Sequence, residues 1–128
     1  MASDRHTLIP YTGRVYSLNF CFCRNGRSYA QEFIRTLRTL HPRELAIIES
    51  NFWLLANEGR ISNPQKFKHL RNGLFEVKGD AARVFLYFYA PLNSWFLVDG
   101  FLKKRQTIPN SLLDRIERVR AEHLASLE

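Results

Sequence analysis

Between residues 74 and 101 the chain reads as three short apolar runs separated by two turn signals, and few folds can accommodate that pattern. The runs cover residues 74–78 (LFEVK), 83–89 (RVFLYFY) and 95–101 (WFLVDGF). Each is dense in the aromatic and β-branched side chains that suit a pleated surface. Gly79-Asp80 and Ala90-Pro91-Leu92-Asn93-Ser94 lie between them. Connections this short join antiparallel neighbours, so the stretch predicts a three-stranded meander. Lys66, Lys68, Arg71, Lys78, Arg83, Lys103, Lys104 and Arg105 cluster at the run ends. A small sheet edged with cations is suited to a polyanion.

Charge distribution supports that emphasis. The net charge of +7 is uneven: residues 60–105 hold nine Lys or Arg against three Asp or Glu, a net of +6, whereas residues 1–59 net +2 and residues 106–128 net −1. A nucleic acid or an acidic protein is the partner such asymmetry favours, the alternative being a solvated face that aids solubility. At 128 residues and 45% hydrophobic the chain is sized for one domain with a real core. Cys21 and Cys23, two apart on an expected strand, point the same way and are poorly placed for an unstrained disulfide. They suggest a reducing compartment. No apolar run approaches the roughly 20 residues of a membrane helix and none reads as a signal peptide, so a cytoplasmic protein without a membrane partner is expected.

Residues 1–12 show no periodicity and are expected to form a flexible arm, with the folded domain spanning 13–128. Residues 14–24 alternate, Tyr16, Leu18, Phe20 and Phe22 on one face, as a half-buried strand does. Ser28 with Gln31 reads as a capping box, followed by Ala30, Phe33, Ile34, Leu37 and Leu40 at helical spacing. Pro42 suits the first turn of a second helix burying Leu45, Ile48, Phe52 and Leu55, and Gly59 suits its end. Residues 61–73 read as a basic connector. Asn110 or Ser111 would cap a last helix carrying Leu112, Leu113, Ile116, Val119 and Leu124. The order β-α-α-β-β-β-α predicts an α+β domain, its helices packed on one face of a mainly antiparallel sheet.

Nucleotide-binding glycine loops, the serine nucleophile elbow and the zinc-protease helix motif are all missing, and the four histidines fall in separate segments. Neither a metal nor an organic cofactor is expected. What remains is a set of cations. In a meander, Lys78 and Arg83 flank one turn and residues 103–105 leave the last strand beside it. Converging Lys and Arg can hold a phosphodiester and neutralise charge developing in phosphoryl transfer. RNA brings its own nucleophile, the 2′-OH, so positioning, charge stabilisation and modest proton transfer suffice. Lys78, Arg83 and Lys104 are the candidates to hold the phosphate; Glu76, His69 and Asp99 are the candidates to move the proton. Lys66, Lys68, Arg71, Lys103 and Arg105 are candidates for further RNA contact. Glu76 could equally be an ion-pair partner of Arg83, and His69 a connector residue.

The combination of Gly73-Leu74-Phe75-Glu76-Val77-Lys78, Arg83-Val84-Phe85 and Gly100-Phe101-Leu102-Lys103-Lys104, with Thr107 and Pro109, resembles the RelE/ParE superfamily of bacterial toxins, and more narrowly its phage-derived, HigB-type branch. The resemblance implies a RelE-like fold over nearly the whole chain. It implies the toxin of a type II toxin-antitoxin system, a ribosome-dependent mRNA endoribonuclease (an mRNA interferase) without metal or cofactor. A helix-turn-helix, HigA-like antitoxin would be its partner, beside mRNA and the ribosome. Lys78 and Arg83 match cations implicated in RNA binding and cleavage, Lys103 and Lys104 match a basic pair, and Glu76 matches a strand glutamate. Asp99 departs from the pattern, standing where many relatives of the branch carry histidine. The superfamily also holds gyrase poisons, so a same-fold protein without nuclease activity is the alternative.

Overall fold

A computed structural model describes residues 7–104 and 107–128. In chain order the elements are β1 (Tyr11–Thr12), β2 (Ser17–Phe20), α1 (Tyr29–Leu40), α2 (Pro42–Glu58), β3 (Phe67–Arg71), β4 (Leu74–Lys78), β5 (Ala82–Tyr89), β6 (Ser94–Leu102) and α3 (Asn110–Leu127), with a 3-10 turn at Ala90–Leu92. The strands form one mixed sheet in the order β1-β2-β6-β5-β4-β3. All pairs are antiparallel except β2 with β6, which run parallel. The domain is therefore α+β, as the element order predicts.

The central strand explains the rest. From Ser94 to Gly100 every residue of β6 is buried, and β5 carries the run Val84-Phe85-Leu86-Tyr87 without a polar break. Strands apolar on both sides need cover on both sides. Accordingly α1 and α2 lie on one face, where Ile34, Leu37, Ile48, Phe52 and Leu55 pack with Leu18, Val77, Val84, Leu86 and Leu97. The opposite face carries α3, whose Ile116 and Val119 pack with Leu74, Phe85, Tyr87, Phe96 and Val98. The expectation that all helices share one face is corrected: the unbroken apolar runs call for two.

The helix ends follow side-chain chemistry. Ser28 caps α1 by accepting the Gln31 N–H at 3.2 Å. Pro42 occupies the first turn of α2, and Gly59 ends it in the left-handed region at φ 81°. For α3, neither Asn110 nor Ser111 is the cap; the helix starts after Pro109 without a side-chain cap bond. A fixed φ at that proline orients the chain into the first turn instead.

Two further expectations are corrected. Residues 61–73 are not wholly a connector, because Phe67–Arg71 pairs with β4 and lengthens the meander to four strands. The joining turn is Asn72-Gly73, with φ values of 50° and 75°, the two positive angles of a primed hairpin turn. The arm is also held from residue 7 onward: Thr7 is buried and donates to the Glu49 carbonyl at 2.8 Å, and Tyr11–Thr12 pairs with β2. Backbone pairing and a buried hydroxyl fix a segment that composition alone reads as loose. Residues 1–6 of the arm lie outside the described residues.

Between Phe85 and Leu86 the β5–β6 ladder shifts: Phe85 faces Asp99 while Leu86 faces Leu97, leaving Val98 as an extra residue. Such a bulge re-aims the side chains after it. Val98 packs on the α3 face and Asp99 meets Arg115 of α3, so two successive residues serve the same side. Gly100 then lies beneath Phe33 of α1; a Cβ there would overlap the Phe33 ring and come 2.9 Å from the Arg83 carbonyl oxygen.

Candidate functional site

Strand pairing brings the cations together at one end of the sheet. Lys78 and Arg83 are direct partners across β4 and β5, and Glu76 partners Phe85 two pairs further in. Residues 76, 78, 83 and 85 share the face that α3 covers, since Phe85 packs there while Val77 and Val84 pack on the other. On the outer side Lys68 pairs with Glu76, and the Lys66 carbonyl accepts the Lys78 N–H at 2.8 Å. On the inner side Ala82 pairs with Leu102, and the Lys103 N–H donates to the Ala81 carbonyl at 2.8 Å. Lys66, Lys68, Lys78, Arg83 and Lys103 therefore converge as a meander requires. A cavity of about 340 Å³ opens among them, lined by Lys66, Lys78, Arg83, Asn63, Gln65 and Ile47 with Gly79 and Asp80 of the intervening turn.

Lys78 is the group most altered by this setting. Its ammonium is held by the Pro64 carbonyl at 3.1 Å and lies 3.8 Å from a Glu76 oxygen. Burial holds its pKa below the usual lysine value; Glu76 opposes that shift, while Arg83, Lys68 and Lys103 add to it. Glu76 is only 5% exposed. It pairs with Lys78 rather than with Arg83.

Arg83 uses its guanidinium on the turn backbone, donating from Nη1 to the carbonyls of Ala82 at 2.9 Å, Gly79 at 3.3 Å and Asp80 at 3.5 Å. Its buried Nε–H has no acceptor among the described residues. A buried donor left unpaired is costly and calls for a reason.

The other sequence candidates are placed elsewhere. Asp99 is 1% exposed and both its oxygens are taken: Arg115 donates from Nε to Oδ2 at 2.7 Å and from Nη2 to Oδ1 at 2.9 Å, and the Gly100 N–H donates to Oδ1 at 2.7 Å. The bidentate bond raises the pKa of Arg115. That guanidinium also lies 4.2 Å from the centre of the Tyr29 ring, which Arg27 covers at 4.1 Å. In the sequence Arg115 is one of several charges of alternating sign along α3, which gives no sign of this pairing.

His69 is exposed on β3 opposite Phe75, whose ring is 4.9 Å away, and its Nε2 accepts the Gly73 N–H at 3.4 Å. That face and that end of the strand lie away from Lys78. Arg71 is exposed at the same far end, beside the Asn72-Gly73 turn. Lys104 is exposed and borders a separate small depression with Phe101, Leu102, Thr107 and Pro109. Arg105 lies outside the described residues.

Sequence reasoning missed two α2 residues at the site. Glu44 Oε1 accepts the backbone N–H of Ala81 at 3.0 Å and of Ala82 at 2.8 Å, and Asn51 Nδ2 donates to the Lys78 carbonyl at 2.9 Å. Their spacing of seven is visible in the sequence, but nothing there says which turn they meet. Among the described residues no group of three His, Cys, Asp or Glu could hold a metal ion, and no helix is long and apolar enough to cross a membrane.

Chemically, the cluster offers a phosphate several cationic donors at one edge of a partly enclosed cavity, with Glu76 beside Lys78 and Asp80 also in the lining. Comparison with protein-family models and with curated proteins finds no match. Among solved structures, the chain is similar to one from the toxin-antitoxin complex RelBE2 of Mycobacterium tuberculosis, at 18% identity and a TM-score of 0.42, over 78% of this chain and 99% of that one. Nothing about activity follows from a likeness of that size.

Proposed function

We propose that this chain is a toxin of the RelE/ParE type, close to the HigB branch, that cleaves mRNA on the ribosome without a metal. The observation that carries the reading is the convergence of Lys66, Lys78 and Arg83 on one cavity, with Lys68 and Lys103 beside it. In this reading Arg83 and Lys78 hold the scissile phosphate, and the unpaired Arg83 Nε–H turns to a phosphate oxygen. The RNA 2′-OH attacks the adjacent phosphorus and the 5′-oxygen of the next nucleotide leaves. Cationic donors stabilise the added negative charge on the phosphoryl oxygens. Glu76 is the proton carrier best placed, next to Lys78. Lys104 extends the track for the RNA strand. Neutralisation falls to a helix-turn-helix antitoxin, the partner the sequence resemblance implies.

Controlled expression in bacteria with mapping of RNA 5′ ends tests this. Wild type is expected to produce new cuts within translated frames, and Arg83→Ala to abolish them. Cuts that persist unchanged in Arg83→Ala would sink the assignment.

One observation favours a second reading, a same-fold protein that binds a partner without cutting RNA. Asp99 has no free oxygen, His69 faces away, and Glu76 is nearly sealed, so few groups are free to move a proton. Growth arrest with intact transcripts, and stimulated DNA breakage by purified gyrase, would support it.

A further inference from the structure

We propose that Glu44 is a positioning residue for the cation cluster: with Asn51 it latches the β4–β5 turn to α2 and so sets where Lys78 and Arg83 present their charges. The inference rests on the reading of that cluster as an RNA phosphate site.

The turn at residues 79–82 is gripped from both sides. Glu44 takes the Ala81 and Ala82 N–H groups on one side, while Arg83 Nη1 takes the Ala82 and Gly79 carbonyls on the other. Asn51, two helical turns further along α2 and 2% exposed, takes the Lys78 carbonyl. Arg83 and Lys78 bracket this turn, so their backbone is fixed by groups on α2 rather than by the hairpin alone. Gly79 is what lets the carboxylate in: a Cβ there would overlap Glu44 Oε1 and lie 3.5 Å from Ile48 Cγ1. A carboxylate accepting two backbone N–H groups makes stronger bonds than a neutral acceptor. Glu44 directs its carboxylate to the turn backbone rather than to the Lys78 or Arg83 side chains. Small displacements matter in such a site, because an error of about 1 Å in placement costs on the order of 100-fold in rate.

The test compares the full chain with Glu44→Ala, Glu44→Gln and Arg83→Ala. It reads amide-hydrogen exchange at Ala81 and Ala82, binding of a single-stranded RNA oligonucleotide, and mRNA cleavage in cells at matched protein level. Glu44→Ala is expected to speed exchange at those two amides by roughly tenfold, the loss of a charge-assisted bond, and to leave exchange in α3 unchanged. Cleavage is expected to fall by roughly 10- to 100-fold. Glu44→Gln retains an acceptor oxygen and is expected to recover most of both.

Removing a negative charge beside cations would by itself tighten RNA binding. If both variants bind RNA more tightly and cleave as well as wild type, Glu44 acts only through its charge and the proposal is overturned. Faster exchange with unchanged cleavage in Glu44→Ala overturns it as well. If wild type and Arg83→Ala are equally unable to bind or cut RNA, the functional reading fails and takes this one with it. Failure of the latch alone is recognised by Arg83→Ala losing cleavage while Glu44→Ala keeps it.

Discussion

Asp99 shows how one side chain can be read in opposite ways from sequence and from structure. As a carboxylate among cations before Gly100-Phe101, it reads as an acid-base group; in place, it is the buried half of a bidentate pair with Arg115 that ties β6 to α3. Asp99→Ala would strand Arg115 and remove the acceptor for the Gly100 N–H. Breaking a buried pair from one side costs about 3–5 kcal/mol, reduced here to roughly 2–3 because 36% of the Arg115 side chain remains in water. Urea unfolding of Asp99→Ala beside the double variant with Arg115→Met checks this, the double variant being expected to recover part of the loss. A loss below about 0.5 kcal/mol, the level of an exposed pair, would contradict the buried assignment. A second residue-scale prediction concerns His123, buried against Phe96, its Nδ1 at 2.7 Å from the Tyr87 hydroxyl. Burial lowers the His123 pKa from 6.5 and raises that of Tyr87, so near neutrality a neutral imidazole and a neutral phenol share this hydrogen bond. A histidine depressed in the folded state supports stability fully above its unfolded value near 6.5, and loses that support as pH falls through the folded value. Melting temperature is expected to drop more between pH 7.5 and 5 in wild type than in His123→Asn. Equal drops would show that His123 does not titrate on unfolding.

At the scale of elements, β3 is the strand the sequence concealed. Its burial alternates poorly and it carries two of the basic residues, Lys68 and Arg71, so it reads as a solvated connector, although such charges are what an edge strand uses to avoid pairing with another chain. The legible signal was Asn72-Gly73, a primed-turn dipeptide that makes the preceding five residues a hairpin arm. Gly73→Ala tests this: space is ample, with the nearest atom to an added Cβ 3.9 Å away, so the cost is that of holding an L-residue at φ 75°. About 1–2 kcal/mol is expected from equilibrium unfolding. No change would mean that the turn relaxes and that β3 is not fixed by it. By contrast β4, β5 and β6 were legible nearly to the residue, because aromatic and β-branched runs between turn signals have few other uses. The two-sided cover of the sheet was legible too, in the missing alternation of Val84-Phe85-Leu86-Tyr87, but a count of helices alone says nothing about faces. The Lys78–Arg83 pairing could be read from the hairpin; Glu44, Asn51 and Arg115 could not, because each reaches across from an element distant in sequence.

For the whole molecule, the question is whether a net charge of +7 acts as a diffuse field or through one site. Several cations away from the sheet end are matched at short range: Arg27 with Glu32 at 2.8 Å, Arg115 with Asp99 at 2.7 Å and Arg120 with Glu117 at 2.9 Å. At the sheet end, Lys66, Lys68, Lys78, Arg83 and Lys103 are served by Glu76 alone among the described ion pairs, 3.8 Å from Lys78. Pairing thus leaves that end as the focus of positive potential, which a polyanion would meet first. Binding of single-stranded RNA should then release a fixed number of counterions, about 0.7 per phosphate neutralised, so five cations predict a slope of roughly −3 to −4 in log affinity against log salt. Removing one contact should flatten the slope by about 0.7. Arg83→Ala and Lys78→Ala are each expected to do so, whereas Arg38→Ala, exposed on α1 away from the cluster, is expected to leave it unchanged. Titrations of a fluorescent RNA oligonucleotide from 50 to 300 mM salt decide between a site and a field. If every substitution flattens the slope equally, the charge acts as a whole; if only those at the sheet end do, the RNA sits where Lys78 and Arg83 place it.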